Sequence, residues 1–184
     1  MLCNRPNKLT ALLITPLAFL LAACTGIPQG IEAVNDFQLE RYLGKWYEIA
    51  RLDHSFERGL SDVSAVYAPR AEGGVSVLNH GYDSGREQWK AAQGKADFID
   101  AETTTRGSLK VSFFGPFYGG YHIVALDTDY RWSLVAGPDR DYLWILARER
   151  RLPEAVKAEL VAKARQLGFA TDKLIWVSQE RPDA

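Results

Sequence analysis

The side chains best suited to covalent or metal chemistry in this chain are three histidines, His54, His80 and His122, and two cysteines, Cys3 and Cys24. The histidines are scattered and lack the spacing of a zinc site. Read as an inward ligand, His122 would suit a haem; read by its surroundings, it makes a polar contact or faces outward. Ser61 and Ser76 each lack the flanking glycine pair of a G-x-S-x-G nucleophile elbow. The expectation is therefore no catalytic centre, no metal and no cofactor.

Cys24 has a different chemistry. Arg5 and Lys8 form a short basic region, an apolar run follows from Leu9 to Ala23, and no acidic residue precedes Glu32. The run is too short for a membrane-spanning helix and is interrupted by Pro16, but it suits an export signal. It ends in Leu21-Ala22-Ala23-Cys24, which resembles a bacterial lipobox. That resemblance implies cleavage before Cys24, a diacylglyceryl group on its sulfur and an acylated amine. Several acyl chains hold a protein on a bilayer stably, where one is marginal. Thr25 stands where an Asp would favour inner-membrane retention, so the outer membrane is implied. Residues 1–23 are read as the lipoprotein signal and 24–36 as a lipidated tether. With Cys3 removed and Cys24 acylated, the domain keeps no thiol and must be held by its core alone.

Composition narrows the rest. Lys and Arg number 22 against 23 Asp and Glu, and loss of Arg5 and Lys8 leaves 20 basic residues, a charge near −3. No basic face is offered to nucleic acid. Apolar residues at 47% exclude a disordered chain, and 15 Gly with 11% aromatics suit short strands and turns.

The elements follow from alternation. Strands are predicted at Trp46–Leu52, Val63–Tyr67, Val75–Tyr82, Gln88–Ile99, Leu109–Phe114, Gly120–Asp127, Trp132–Ala136 and Tyr142–Ala147, with a polar loop at 53–60. In the fourth, Ala92, Gly94, Ala96 and Phe98 share one face and Gln93, Lys95 and Asp97 the other, the pattern of a sheet with one buried side. Eight such strands close into an antiparallel barrel without exposed edges. The small residues Ala92, Gly94 and Ala96 leave room inside it. Pro153 starts a helix over about 153–167, whose stripe Leu152, Val156, Leu160, Ala164 and Leu167 packs on the outside, with Gly168 ending it. Leu174–Val177 reads as one more short strand.

Three landmarks carry a family resemblance. Gly44-Lys45-Trp46 opens the first strand, Thr128-Asp129-Tyr130 lies between the sixth and seventh, and Arg148 follows the eighth. This order resembles the lipocalins. The stretches Gly44–Arg51, Phe113-Phe114-Gly115-Pro116-Phe117 and Tyr142–Leu146 are similar to bacterial outer-membrane members of that family. The resemblance covers about Phe37 to Val177; the domain is taken as 37–180. It implies an all-β, eight-stranded up-and-down barrel with one C-terminal helix outside. It also implies a barrel floor of Gly44, Trp46, Thr128, Asp129, Tyr130 and Arg148, with Arg148 stacked on Trp46.

A barrel of this size holds one small ligand. If Arg148 points inward, strand parity sends Leu146, Trp144 and Tyr142 inward too. Tyr118, near the mouth, and Phe98, Val111 and Phe113, as an apolar wall, complete the candidate ligand site. The ligand implied is a long-chain fatty acid or lysophospholipid, stored or transported in the envelope by a protein lipid-anchored at the outer membrane and facing the periplasm. The alternatives are a lipid-modifying enzyme on the same fold and a structural envelope lipoprotein with a filled barrel. A homodimer is compatible with the sequence, though no exposed stripe compels one.

Overall fold

Eight amphipathic strands each have one face to remove from water, and the sheet does so by curling until its ends meet. The computed structural model describes residues 25–182; the signal and Cys24 lie outside the described residues. The strands are β1 (Gly44–Arg51), β2 (Leu60–Pro69), β3 (Val75–Asp83), β4 (Gln88–Phe98), β5 (Ser108–Phe114), β6 (Phe117–Leu126), β7 (Trp132–Ala136) and β8 (Leu143–Ala147). Each is antiparallel to its neighbours in chain order, and β1 closes the barrel by pairing with both β2 and β8.

β1 makes this closure by changing its step. It pairs with β2 only from Gly44 to Tyr47, and its register against β8 shifts between Glu48 and Ala50. One residue is accommodated there as a bulge, which re-aims the remainder of the strand. Trp46 and Glu48 face inward, Ile49 and Ala50 pack outside, and Arg51 turns back in opposite Trp144. Where β2 splays away, β9 (Ile175–Trp176) pairs with Ala50 and Arg51. Just beyond, the Gln179 amide donates to the carbonyls of Glu48 and Val63, both at 2.8 Å, and bridges the splay.

There are two cores. The inner one runs from Phe37, Tyr42 and Trp46 through Tyr67, Val77 and Leu109 to Leu146. The outer one lies between the barrel wall, at Leu134, Ile145 and Ala147, and α2 (Glu154–Gln166), which buries Leu160 and Ala164. Each large aliphatic side chain so buried contributes about 1.5–3 kcal/mol. Pro153 is the residue before the first helical turn, in extended conformation, so the helix begins one residue later than the sequence indicates.

Two segments differ from the sequence reading. A one-turn helix, α1 (Leu39–Tyr42), crosses the end of the barrel where β1 begins; four residues are too few to show helical periodicity. Residues 25–36, read as a tether, lie along the wall. Val34 donates its N–H to the Ile123 carbonyl and accepts from Gly107, Ile31 is buried in the outer core, and Gly26 is bonded to His122.

Candidate functional site

The end of the barrel under α1 is sealed by one cation. Arg148 lies with its guanidinium carbon 4.0 Å from the centre of the Trp46 ring, a contact worth about 0.5–2 kcal/mol. Its nitrogens donate to the carbonyls of Lys45 (2.8 Å), Arg41 (2.8 Å), Leu43 (2.9 Å) and Tyr130 (3.3 Å). Trp46 is fully buried and gives its indole N–H to the Tyr42 carbonyl at 2.7 Å. Gly44 has φ +92, a left-handed conformation that favours glycine at that corner. Tyr130 is buried, accepts the Gln38 N–H and lies beneath Arg41, which also donates to the Thr128 carbonyl. Asp129 is exposed; the carboxylate that organises this turn is Asp127, which accepts from the N–H groups of Asp129 and Arg131 and from the Arg131 guanidinium.

Above this floor the interior turns polar on one side. The hydroxyls of Tyr42, Tyr67 and Tyr121 form a chain at 2.7 and 3.0 Å, extended to Ser133 at 3.0 Å. Burial pushes the Tyr42 phenol up to about 12 and raises those of Tyr67 and Tyr121 also. All three remain neutral hydroxyls.

The opposite end is covered by the loop 52–59, which folds back over the mouth. Its Glu57 is buried and accepts the Trp144 indole N–H at 3.0 Å. Arg51, also buried, donates to the Glu48 carboxylate at 2.5 Å and to the carbonyls of Glu57 (2.8 Å) and Leu60 (3.2 Å). His54 is sandwiched between Phe56 and Tyr142, with ring centres 5.2 and 4.9 Å away, and tilts against Trp144 at 4.7 Å. Desolvation raises Glu48 well above the usual carboxylate range, and the neighbouring Glu57 charge adds to it. Burial raises Glu57 as well. One guanidinium faces two buried carboxylates, which favours the protonated form of the pair. Burial, then the Arg51 charge, pulls His54 down to about 4 and leaves it neutral. Arg51 Nε and His54 Nε2 are buried without hydrogen-bond partners.

The remaining wall is apolar and open. β4 pairs with β5 only from Lys95 to Phe98, although β4 begins at Gln88. On its unpaired upper part Ala92 has inward parity yet is exposed, and Gly94 is half-buried. A side chain on Gly94 would meet the Phe113 ring at 2.8 Å. A groove of about 340 Å³ lies on the outer surface beside this gap, lined by polar Arg70, Glu72, Ser76, Gln93, Lys95 and Ser112 and reaching Phe113 and Gly115.

The structure thus brings together most of the residues singled out from sequence. Trp144, Val111 and Phe113 face the interior, and Phe98 does so lower down, 6.3 Å from Phe37. Tyr142 is at the lidded mouth. Tyr118 is not in the interior. It follows the parity of Gly120 and His122, and its ring lies 5.6 and 5.4 Å from the ammonium groups of Lys95 and Lys110 on the outer wall. His122 also faces out, between Ser108 Oγ (3.1 Å) and the Gly26 carbonyl (3.0 Å). The cluster of Glu48, Arg51, His54 and Glu57 was missed. Alternation from Trp46 does point Glu48 inward, whereas Arg51 depends on the bulge and Glu57 on a loop that reads as solvated.

The architecture is a closed eight-stranded barrel, sealed at one end by an arginine–tryptophan stack and flanked by one helix. Among solved structures it is similar to insecticyanin from the tobacco hornworm Manduca sexta, with a TM-score of 0.67 and 21% identity over 84% of this chain and 87% of that one. A lipocalin-like domain matches residues 37–179, and the chain belongs to the lipocalin family. It is 54% identical over 164 residues to the outer membrane lipoprotein Blc of Escherichia coli (strain K12), covering 88% of this chain and 92% of that protein. Against the outer membrane lipoprotein Blc of Vibrio cholerae the identity is 49% over 162 residues, covering 88% and 94%.

Proposed function

We propose that this lipocalin is an outer-membrane lipoprotein, acylated at Cys24, that holds one acyl chain of a fatty acid or lysophospholipid inside its barrel and carries it within the envelope. The observation that supports this most is the inner face of β4. There Ala92, too small to fill the space itself, has inward parity and is exposed, while the Phe113 ring packs over Gly94, beside Val77 and Val111. Each methylene placed against such a wall contributes on the order of 0.8 kcal/mol, so a long chain binds without polar recognition. The named relatives are lipoproteins of the same membrane, which agrees with the lipobox-like residues before Cys24.

Titratable groups inside a barrel also suit catalysis, and Glu48, Glu57 and His54 are such groups. Their contacts favour a structural role. Glu57 accepts from Trp144, Glu48 accepts from Arg51, and His54 lies between two rings. No nucleophile is found in this set, so we assign it to holding the lid over the mouth rather than to turnover.

Native mass spectrometry of the full chain purified from membranes tests the carrier reading. One lipid per chain beyond the acyl groups on Cys24, displaced by added palmitate, is the expected result. A chain that never holds a lipid would overturn it, and hydrolysis of added lysophosphatidylethanolamine would favour an enzyme.

A further inference from the structure

We propose that the tip of the β5–β6 hairpin and the outer wall below it form a docking surface for the anionic face of a lipid bilayer, so that the barrel meets the membrane with the gap beside β4 turned toward it. The inference goes beyond the carrier reading and draws on it only for the acylation of Cys24.

Two of the most exposed large apolar side chains among the described residues are neighbours at this tip. Phe114 is 81% exposed and Phe117 71%, and they pair across the turn that holds Gly115 and Pro116. Two phenyl rings presented to water at a hairpin tip gain free energy on entering an interface. Directly below, Tyr118 lies on the outer wall with Lys95 and Lys110 against its ring. Among the described residues neither lysine is paired with a carboxylate, and the nearby Asp97 is held by Arg70 at 2.9 Å. An aromatic ring with a polar tip and two unneutralised ammonium groups under an apolar apex is the arrangement that sits at headgroup level. Ser112, buried with its hydroxyl unpartnered, lines the groove in the same wall.

The start of the described chain points to the same place. Gly120 pairs with Lys110, and a Cβ on Gly120 would lie 3.1 Å from the Thr25 carbonyl oxygen. Gly26 is fastened one residue further by His122. Lys110 is four residues from Phe114, ~13 Å along the strand. The described chain therefore begins at the level of Lys110, on the strand pair whose tip carries the phenylalanines. That start, the cations and the apolar apex share one side of the molecule, and the stretch of β4 not paired with β5 adjoins it. A lipid tail passing between bilayer and barrel would cross this side.

The test uses the full chain, processed in the cell and reconstituted into vesicles of phosphatidylethanolamine and phosphatidylglycerol at 3:1. Phe114→Cys and, in the exposed turn at the floor of the barrel, Asp129→Cys each receive an environment-sensitive dye; both sites are exposed, so neither change disturbs folding. The dye at 114 should emit as in lipid and the dye at 129 as in water. Adding Lys95→Gln with Lys110→Gln should lower the ratio of docked to undocked chain on the order of 25-fold, at about fivefold for each cation at an anionic surface, with a loss in the same direction on raising salt. A dye at 114 that reports water, or dyes at both sites that report lipid, would overturn the proposal. The mass of the same preparation shows separately whether Cys24 is acylated: an unacylated chain whose dye at 114 still reports lipid upholds docking while removing the anchor.

Discussion

The two ends of this barrel are each closed around an arginine, half-buried at the floor and buried at the mouth, and they are closed by different chemistry. At the floor, Arg148 gives its donors to four backbone carbonyls and its face to Trp46. Those acceptors never titrate and belong to segments the fold fixes anyway. At the mouth, Arg51 also donates to two backbone carbonyls, but its third acceptor is the ionisable carboxylate of Glu48, close to that of Glu57, and its Nε is unpartnered. The floor arginine meets backbone acceptors alone; the lid arginine has one acceptor that titrates.

Arg148→Ala is expected to have the largest effect on that contrast. It strands four carbonyls and uncovers an indole, and should cost about 3 kcal/mol, lowering Tm by about 6–12 °C in thermal melts. An unchanged Tm would remove the floor's role. Trp144→Phe keeps the ring and deletes the donor to Glu57, and should open the lid by about 1 kcal/mol. Hydrogen exchange of residues 52–59 reads this, with the amides of β5 unaffected.

Titration separates the ends more finely. Glu48 and Glu57 have raised values in the folded chain, so their contribution is full at low pH and is lost as pH rises from the ordinary glutamate range through the raised values. His54 is lowered to about 4, so its contribution is full above about 6.5 and is lost as pH falls toward 4. The two oppose one another at mildly acidic pH. Glu48→Gln should therefore flatten the decline of Tm as pH rises above the ordinary glutamate range, and a decline as steep as in the parent chain would contradict a raised Glu48. The smallest effect is expected for Tyr118→Ala, which should leave acyl affinity within twofold because its ring is outside.

Much of the fold could be read in advance because strand alternation and turn residues are local signals. The register of β4 is visible in Ala92, Gly94 and Ala96 against Gln93, Lys95 and Asp97. The floor was legible only through the spacing of Gly44, Trp46, Thr128 and Arg148, and motif reading gave weight to Asp129 where the structure uses Asp127. Tyr118 was misplaced because nearness to the mouth was weighed above parity, although counting back from outward His122 through Gly120 sends it outside. The lid cluster could not be found in this way. A bulge in β1 re-aims Arg51, and a polar loop such as 53–60 looks solvated in any sequence, even when Glu57 ends up buried against Trp144.

The central claim is that an acyl chain lies against the small residues of β4 inside the barrel. It is tested most directly by titrating palmitate into the Ala92→Phe chain, where a phenyl ring at an exposed inward position fills that space without crowding the core. The account predicts an unchanged melting temperature and an affinity at least tenfold weaker than in the parent chain. Palmitate bound as tightly by Ala92→Phe as by the parent would contradict it.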